Sequence, residues 1–464
     1  MGMPVEGTIH YGLPGYALRV IDVLESAGHE AWAVGGWVRD SVLGAPPHDV
    51  DVTTSARWQD TERALAAAGI EVHETGTKHG TVTAVVEGQP VEVTTYRVEA
   101  GYSDHRHPDQ VRFVTDVRED LARRDFTINA MAYHPNRGLL DPFGGVADLQ
   151  AGVIRAVGNP AERFGEDALR VLRAVRFACR LGFAVEPTTQ TALDSCAYEL
   201  ADIAQERIGQ EMDGIVRSGK AGWALMHETV ALSAAIPEIV AMAGFDQHSP
   251  YHAYDVLEHT SRVCRAVEEF TGGLALPELR WAAMLHDIAK PRCYSVDDTG
   301  RGHFFGHPKL GAEMTERIMR RMALPGELVT PARMLVRLHD HQVVPTGRSI
   351  RRTLVKFEHV CPGRAPALAF ALIDLKRADA VSKAPEAAYY ALELDKMRDA
   401  LRHELAVGGI YRRADLAVTG GDVMEAAGIA PGPAVGVLLD ELFVSVVNGE
   451  LPNDREVLLA QVRG

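Results

Sequence analysis

The spacing of apolar residues changes character at Gly144-Gly145, and this change constrains the fold more than any other feature of the chain. Before it, apolar runs of strand character alternate with short amphipathic stretches, such as the helical pattern over 58–68. After it, the spacing is that of long amphipathic helices with few strand signals. Alternating strands and helices over about 140 residues are typical of an α/β or α+β domain. The sequence therefore predicts a mixed N-terminal domain followed by a helical remainder.

Composition and charge exclude several classes of protein. The chain has 464 residues, 46% hydrophobic and 24% charged, and its 48 Lys and Arg against 63 Asp and Glu give a net charge of −15. These values exclude disordered, collagen-like and generally basic nucleic-acid-coating chains, although an acidic protein can still carry a local basic surface. Five cysteines without a C-x-x-C pair exclude zinc-ribbon and thioredoxin chemistry. Because no signal peptide and no apolar run of roughly 20 residues is readable, we expect a cytoplasmic protein with no membrane partner.

Two aspartates follow a glycine pair in the N-terminal part. Acidic and apolar residues alternate in Asp49-Val50-Asp51-Val52, so on a strand the two carboxylates would share one face. Carboxylates of this kind suit Mg²⁺ held together with substrate phosphates. Upstream, Gly35-Gly36 would end a strand and open a helix, where the backbone can approach a triphosphate. A polar strand end explains D-x-D alone, but the glycine pair before it favours a metal and phosphate site.

Two further segments offer groups for the same chemistry. Glu92, between two valines, is the candidate third acid that many two-metal phosphoryl-transfer sites use to share a metal and deprotonate the attacking hydroxyl. Its alternative is a solvent-facing acid on an edge strand. The segment RRDFTINA over 123–130 joins a double arginine to an acid and an amide, which suits phosphate and ribose hydroxyls. Its alternative is a solvated helix start capped by Asp125.

Four segments carry a resemblance to a known family. GGWVRDSVLG…HDVDVTTSA, VEVTTYR, RRDFTINAMAY and EDALRVLRAVRFACRLGF occur in this order. Together they resemble the class II CCA-adding tRNA nucleotidyltransferase and bacterial poly(A) polymerase family, which is polymerase-β-like. The resemblance implies an α+β N-terminal nucleotidyltransferase (palm) domain over 1–150, followed by an all-α neck over 151–245, an HD-type helical domain over 250–390 and a helical tail over 391–464.

The same resemblance implies roles for individual residues. Asp49 and Asp51 would bind the catalytic Mg²⁺ ions. Gly36, Arg39 and Arg124 would contact the incoming nucleotide. Asp125 and Asn129 fall where the family contacts the ribose.

A charged series suggests how nucleotides are selected without a template. Asp167, Arg170, Arg173 and Arg176 are three residues apart, so on a helix over 166–183 they would form one stripe. Asp only accepts hydrogen bonds and Arg only donates them, which matches the amine and ring nitrogen that cytosine and adenine share and opposes uracil and guanine. The resemblance gives this role to Asp167 and Arg170, with Arg173 and Arg176 supporting the triphosphate or the pair. The alternative is a helix of i,i+3 ion pairs.

Histidines and aspartates recur in the helical part of the chain. An adjacent His-Asp needs ligands from other helices, and mixed imidazole and carboxylate ligands suit Mn, Ni, Fe or Zn. The ordered set resembles the HD phosphohydrolase superfamily, and the alternative is a helical scaffold that binds no metal. The candidate ligands are His259, His286, Asp287, His307, His339 and Asp379.

The segment 317–356 could hold RNA, because nine Lys and Arg against two acids give it a local charge of +7. Such cations contact phosphates and make affinity fall with salt. The alternative is a set of ordinary exposed helix faces. The candidate RNA contacts are Arg320, Arg321, Arg333, Arg337, Arg351 and Arg352.

The sequence thus predicts an enzyme that adds C, C and A to the tRNA 3′ end from CTP and ATP by two-metal nucleotidyl transfer. A poly(A) polymerase or a specialised C- or A-adding enzyme of the same family is the first alternative. An HD-domain phosphohydrolase with a secondary head, or an inactive RNA-binding module, belongs to another class. The substrate of the HD domain, its metal and the oligomeric state stay open.

Overall fold

The chain forms two compact units, Met1–Glu211 and Met212–Gly464. The computed structural model describes residues 11–46, 49–100, 110–249, 253–342, 344–383 and 389–463. His48, the first residue of the quoted segment HDVDVTTSA, and Pro250, the first residue of the predicted HD-type domain, lie outside this range, as do residues 1–10. The boundary at Glu211 falls within the predicted neck, and the division into four domains stays a prediction.

A seven-stranded mixed sheet forms the centre of the first unit. The strands of this unit are β1 (Ala31–Val34), β2 (Asp51–Thr54), β3 (Glu71–Gly76), β4 (Thr81–Val86), β5 (Gln89–Thr95), β6 (Arg97–Ala100), β7 (Gln110–Phe113), β8 (Ala132–His134), β9 (Gly138–Leu140), β10 (Val153–Ile154) and β11 (Ala184–Val185). The order across the sheet is β3-β4-β5-β2-β1-β8-β9. Neighbours in it run antiparallel, except that β2 and β5 are parallel.

The parallel pair at the centre of the sheet brings two predicted acids together. In its register Asp51 lies opposite Glu92, and Val52 lies opposite Val93. Both valines are buried, so the alternation of acidic and apolar residues along β2 matches the expectation from sequence. The edge-strand alternative for Glu92 is wrong, because β5 lies between β4 and β2.

Helices flank the strands of this unit. They are α1 (Gly15–Ser26), α2 (Gly36–Val42), α3 (Trp58–Ala67), α4 (Val117–Ala122), α5 (Gly145–Ala151), α6 (Pro160–Glu166), α7 (Leu169–Leu181), α8 (Pro187–Cys196) and α9 (Gln205–Arg217), which crosses the boundary between the units. α1 and α3 pack on each other and on β4. Leu121 of α4 lies in an apolar cluster with Trp32 and Val34 of β1. The predicted mixed domain is confirmed by this arrangement.

The predicted single helix over 166–183 is wrong at its N-terminal end. α6 ends at Glu166, and Asp167 is extended with φ −143° and ψ 102°. One carboxylate oxygen of Asp167 accepts a hydrogen bond from the backbone N–H of Leu169 at 3.1 Å. This local side-chain bond competes with helical hydrogen bonding and interrupts the helix there. Only Arg170, Arg173 and Arg176 therefore share the stripe on α7.

The second unit is helical, as the spacing of apolar residues predicts. Its helices are α10 (Ala221–His227), α11 (Thr229–Ala235), α12 (Val256–Thr271), α13 (Pro277–Leu285), α14 (His307–Arg321), α15 (Gly326–Leu338), α16 (Gly347–Val360), α17 (Ala365–Val381), α18 (Tyr389–Ala406), α19 (Gly420–Ala427), α20 (Pro433–Asn448) and α21 (Arg455–Arg463). A hairpin of β12 (Ser295–Val296) and β13 (Gly302–His303) precedes α14.

Two apolar cores hold this unit together. α12, α13, α15 and α17 pack against one another, while α19, α20 and α21 share a cluster that includes Val423, Leu442 and Leu458. Within the described residues, none of the helices combines the length and apolar character that crossing a membrane requires.

Candidate active site and candidate metal centre

A cavity of about 530 Å³ lies beside the central strands of the first unit. Eleven of the twelve site residues predicted for the head and the templating helix line it: Gly36, Arg39, Asp51, Glu92, Arg124, Asp125, Asn129, Asp167, Arg170, Arg173 and Arg176. The twelfth, Asp49, is exposed just before β2 and does not line the cavity.

The acids of this cavity repel one another. Burial and the charges of Glu92 and Asp49 together raise the pKa of Asp51 to about 6, against the opposing effect of Arg124. Crowded carboxylates of this kind are stabilised by a hard divalent cation, for which oxygen is the preferred ligand. The donor set therefore fits a magnesium ion.

A glycine is required where β1 turns into α2. Gly35 has φ +71°, a conformation that side-chain-bearing residues rarely adopt. A Cβ atom there would lie 3.4 Å from Nη1 of Arg124 and 3.5 Å from Oδ2 of Asp51. Glycine keeps this space beside the acid open to a ligand, as the sequence analysis expected of the glycine pair.

A chain of hydrogen bonds connects α2 to α7 across the cavity wall. Arg39 donates to Oδ1 of Asn129 at 2.8 Å, and Nδ2 of Asn129 donates to Oδ1 of Asp125 at 3.1 Å. Arg173 donates twice to Oδ2 of Asp125, at 2.9 and 2.6 Å. Burial raises the pKa of Asp125, but Arg173 outweighs this effect and holds the pKa at about 2. The alternative of a solvated helix start capped by Asp125 is wrong, because Asp125 is buried and the short 3₁₀ turn in this segment begins only at Thr127, after Phe126.

The two residues predicted to read the base are each held by another side chain. Asp167 accepts from Nη2 of Arg207 at 3.0 Å. Arg170 donates to Oε2 of Glu166 at 2.6 Å. Arg176 donates to Glu211 at 2.6 Å, so the ion pairs of the charged series run to residues outside it. Residues outside the charged series therefore hold it in place around the cavity. The alternative, a ladder of i,i+3 ion pairs within the series, does not match this arrangement.

Three side chains of this cavity do not stand out in the sequence but are prominent in the structure. Arg207 holds Asp167 from 40 residues away, and no local pattern predicts that contact. Phe177 lies under the guanidinium groups of Arg39, Arg173 and Arg176, whose Cζ atoms are 5.3, 5.6 and 4.9 Å from its ring centroid. Arg180 also lines the cavity. Phe177 is four residues beyond Arg173, so extending the helical stripe by one turn would have found it.

The six predicted metal ligands of the second unit meet in one place. His259 comes from α12, His307 begins α14 and Asp379 lies on α17. His286 and His339 directly follow α13 and α15 as their C-terminal caps. Their ligand atoms fall into two adjacent groups that could hold a metal ion, His259 with His286 and Asp379, and Asp287 with His307 and His339.

The hydrogen bonds of the histidines orient this centre. Nδ1 of His286, His307 and His339 lies 2.9, 2.8 and 2.7 Å from a backbone carbonyl oxygen. A carbonyl only accepts, so Nδ1 carries the proton and Nε2 presents a lone pair. The Nε2 atoms of His307 and His339 are only 3.2 Å apart. Two facing lone pairs repel unless a proton or a metal cation lies between them.

The aspartate at the middle of the centre is also poised for a cation. Asp287 is buried, and its carboxylate oxygens lie 3.1 to 3.7 Å from Nε2 of four histidines and 2.7 Å from Nζ of Lys290. Among the described residues, neither oxygen has a hydrogen-bond partner of acceptable geometry. Burial lowers the pKa of His259 and of His307, which favours the neutral ring that binds metals. These residues therefore fit a transition-metal site.

The basic segment 317–356 is largely paired within its own unit. Arg321 pairs with Glu238 at 2.9 Å, and Arg351 pairs with Glu404 at 2.8 Å with only 18% of its side chain exposed. Arg320 and Arg333 share Glu316, while Arg352 donates to Asn448. Arg337 is exposed on α15. Arg352 also lines a cavity of about 840 Å³ together with Arg348 and Lys356 of α16.

Comparison with known families matches nearly the whole chain. The profile of the poly(A) polymerase head domain matches residues 31–155, and that of a probable RNA- and SrmB-binding site of polymerase A matches 182–242. The HD domain profile matches 251–384, and a putative second domain of tRNA nucleotidyltransferase matches 375–462.

Individual relatives match over their full length. The CCA-adding enzyme of Latilactobacillus sakei is 35% identical, over 96% of this chain and 96% of the relative. The CCA-adding enzyme of Geobacillus thermodenitrificans is 34% identical, over 96% of this chain and 95% of the relative. The crystal structure of the Bacillus stearothermophilus CCA-adding enzyme in complex with CTP is 32% identical, covers 96% of both chains and has a TM-score of 0.70.

Replacing Asp51 should reveal the repulsion between the acids. The pKa of Asp51 is raised to about 6 in the folded protein. Between about pH 4 and about pH 6 the folded protein therefore keeps a proton that the unfolded chain releases. As pH rises through that range, this carboxyl lowers the free energy of unfolding. In metal-free protein at about pH 8, Asp51→Asn should raise the free energy of unfolding by up to about 3 kcal/mol. Urea denaturation with a chelator measures it, and at about pH 4 the variant and wild type should agree.

The matched control is Asp60→Asn, a half-exposed residue in the first turn of α3 that pairs with Arg63, which should change the free energy of unfolding by less than about 1 kcal/mol at either pH. A loss of stability in Asp51→Asn at about pH 8 would contradict the account of crowded acids.

Proposed function

Because the chain belongs to the CCA-adding enzymes, we propose that it adds C, C and A to the 3′ end of tRNA from CTP and ATP. It is a nucleotidyltransferase with an HD domain. The observation that carries the proposal is that one cavity is lined both by the acid pair Asp51 and Glu92 and by the donor–acceptor pair Arg170 and Asp167. A single nucleotide can then meet groups for phosphoryl transfer and groups that read its base.

The acids supply the metal-binding half of this site. Nucleotidyltransferases of this family are metal-dependent, and we propose that Asp49, Asp51 and Glu92 hold Mg²⁺. When bound, the ion lowers the pKa of the terminal ribose hydroxyl and stabilises the pyrophosphate that leaves. Arg124 lies beside Asp51 and the open space at Gly35, where its guanidinium can bind triphosphate oxygens.

The remaining side chains select and orient the nucleotide. Asp167 accepts from the exocyclic amine of cytosine or adenine, and Arg170 donates to the neighbouring ring nitrogen. Uracil and guanine oppose both groups, and sites with unpaired or opposed polar groups discriminate by factors of up to about 10⁴–10⁵. Arg207 and Glu166 hold the two reading groups, and Asp125 and Asn129 connect the ribose end of the site to Arg39 and Arg173.

A second role is proposed for the HD site. Its six ligands fit Mn, Ni, Fe or Zn, since Nε2 lone pairs and an unsatisfied carboxylate converge on one point. When bound, such a metal polarises a phosphoryl oxygen or a water molecule. The HD site would then act as a phosphohydrolase separate from the head.

We further propose a cytoplasmic protein that holds tRNA along exposed basic side chains of the segment 317–356. Arg337 and the row of Arg348, Arg352 and Lys356 on α16 are better suited than Arg351, which is engaged by Glu404. Phosphate contacts at such side chains position RNA without reading its sequence.

Nucleotide addition to a tRNA without its CCA end tests the main proposal. Labelled CTP alone should add two residues, ATP alone should add none, and both together should add C, C and A and then stop. UTP and GTP should add none. Gel separation of the products measures this. Long A tails would contradict the proposal in favour of a poly(A) polymerase, and C or A alone would indicate a specialised enzyme.

Metal analysis of the purified protein tests the HD site. Wild type should retain about one equivalent of a transition metal or bind added Mn²⁺, and Asp287→Asn should lose it because the central carboxylate contacts four histidines. Elemental analysis and titration by electron spin resonance measure the metal. Asp340→Asn, next to His339 but outside the ligand set, is the matched control.

Nucleotide addition by Asp287→Asn should persist at the wild-type rate, which also shows that the variant is folded. Equal metal content in wild type and Asp287→Asn would contradict the assignment of the site.

A further inference from the structure

Two stacked rings stand beside the HD centre, and neither proposed activity uses them. The rings of His303 and Phe305 are parallel within 7°, with centroids 5.1 Å apart. Both line a cavity of about 300 Å³ that also contains Asp287, His307 and His339. Phe305 is 78% exposed, so an apolar ring face is open at the mouth of a proposed metal site.

The ring of His303 is fixed by its neighbours. Its Nε2 lies 2.7 Å from Oδ2 of Asp297. The same carboxylate accepts from the hydroxyl of Thr299 at 2.6 Å and from the backbone N–H of Arg301 at 3.1 Å, which closes the turn of the hairpin. The ring therefore has a built orientation on which Phe305 can stack.

The hairpin itself is held against the unit. The backbone N–H of Gly302 donates to the carbonyl oxygen of His248 at 2.9 Å. A Cβ atom at Gly302 would collide with the backbone carbonyl oxygen of Gln247 and with the ring of Tyr294. Only glycine permits this close approach, so the stacked rings belong to an anchored element.

The neighbouring Phe304 shows that the outward position of Phe305 is specific. Phe304 turns inward, with its ring 5.6 Å from that of Tyr294 and 6.4 Å from that of Phe245. Both phenylalanines line the cavity, but Phe304 is half-buried against these rings whereas Phe305 is exposed.

The same cavity also suits an anion. Lys290 and Lys383, both lining it, lie 2.7 and 2.6 Å from carboxylate oxygens of Asp287 and Asp379. Arg301 lines the cavity as well. Cations beside a metal centre are a setting for a phosphate group, whereas a planar ring pair at the mouth suits an aromatic base.

We propose that His303 and Phe305 form a base-stacking subsite, through which the HD site takes nucleoside phosphates in preference to phosphates that lack a base. This inference rests on the proposed HD metal site and deepens it. Stacking is tolerant of sequence because every base has a π face, so the subsite recognises a nucleoside without choosing among bases. The volume of about 300 Å³ is at the lower end of pockets that hold small ligands, which fits one nucleotide.

Two probes that differ only by the base test the proposal. Affinities for AMP and ribose 5-phosphate are measured by calorimetry on the full chain, with and without Mn²⁺, in an Arg170→Ala background that disables base reading in the head. AMP should bind at least about tenfold more tightly than ribose 5-phosphate. Phe305→Ala should remove this preference by weakening AMP alone, and Phe305→Trp should keep it.

Val296→Ala, an exposed residue of the same hairpin that does not line the cavity, is the matched control and should change neither affinity. A 3′-phosphorylated dinucleotide in place of AMP distinguishes an RNA end from a free nucleotide. Tighter binding of AMP or of the dinucleotide than of ribose 5-phosphate supports the subsite. Equal affinities for AMP, the dinucleotide and ribose 5-phosphate would overturn it, as would an unchanged AMP preference in Phe305→Ala. If Mn²⁺ changes neither the affinity for AMP nor that for ribose 5-phosphate, the HD metal site is contradicted instead. The two failures are distinguishable, because the preference for AMP can be measured without Mn²⁺.

Discussion

The parallel pairing of β2 with β5 places Asp51 against Glu92, and the arrangement of the first unit depends on this contact. All other neighbours in the seven-stranded sheet run antiparallel. The register sets two acids side by side at the cavity, where burial and repulsion raise the pKa of Asp51. A fold that keeps such a contact gives up stability in the absence of a cation, which is a common property of sites built for metal-assisted chemistry.

The guanidinium groups around the same cavity, unlike the crowded acids, are each paired with a group of opposite charge. Arg173 is held by Asp125, Arg170 by Glu166 and Arg176 by Glu211. Each cation is therefore oriented by an acid behind it, and an acidic chain can still present a positive wall to a nucleotide. The net charge of −15 reflects in part these supporting acids and does not argue against a polyanionic substrate.

The sequence predicted those features that follow from local spacing. Alternation along β2 placed Val50 and Val52 in the core, and the His and Asp residues of the second unit meet as their resemblance to HD proteins implied. Features that depend on distant partners were not predictable. Asp167 interrupts the expected helix through its own bond to Leu169, and its partner Arg207 follows 40 residues later. The i,i+3 spacing of the charged series fits a continuous helix equally well, so spacing alone could not show the interruption.

The direction of the strand that carries Glu92 was also not predictable from the sequence. Val-Glu-Val over 91–93 fits a parallel or an antiparallel neighbour and a central or an edge position, so only the sheet order gives Glu92 its place beside Asp51. The partner of Arg351 was not predictable either, because Glu404 lies 53 residues away. Arg351 was predicted to contact RNA, but it forms an ion pair within the protein. Local charge counts indicate a basic segment but not which of its side chains are already engaged.

The central claim is that Glu92 completes the acid set that binds the catalytic metal. The most direct measurement is the single-turnover rate of C addition as a function of Mg²⁺ concentration for wild type, Glu92→Gln and the exposed control Glu74→Gln on β3. The account predicts that Glu92→Gln lowers the rate at least about 100-fold and raises the Mg²⁺ concentration needed for half-maximal rate, since one metal ligand is lost, while Glu74→Gln behaves as wild type. A Glu92→Gln enzyme with the wild-type rate and the wild-type Mg²⁺ dependence would contradict it.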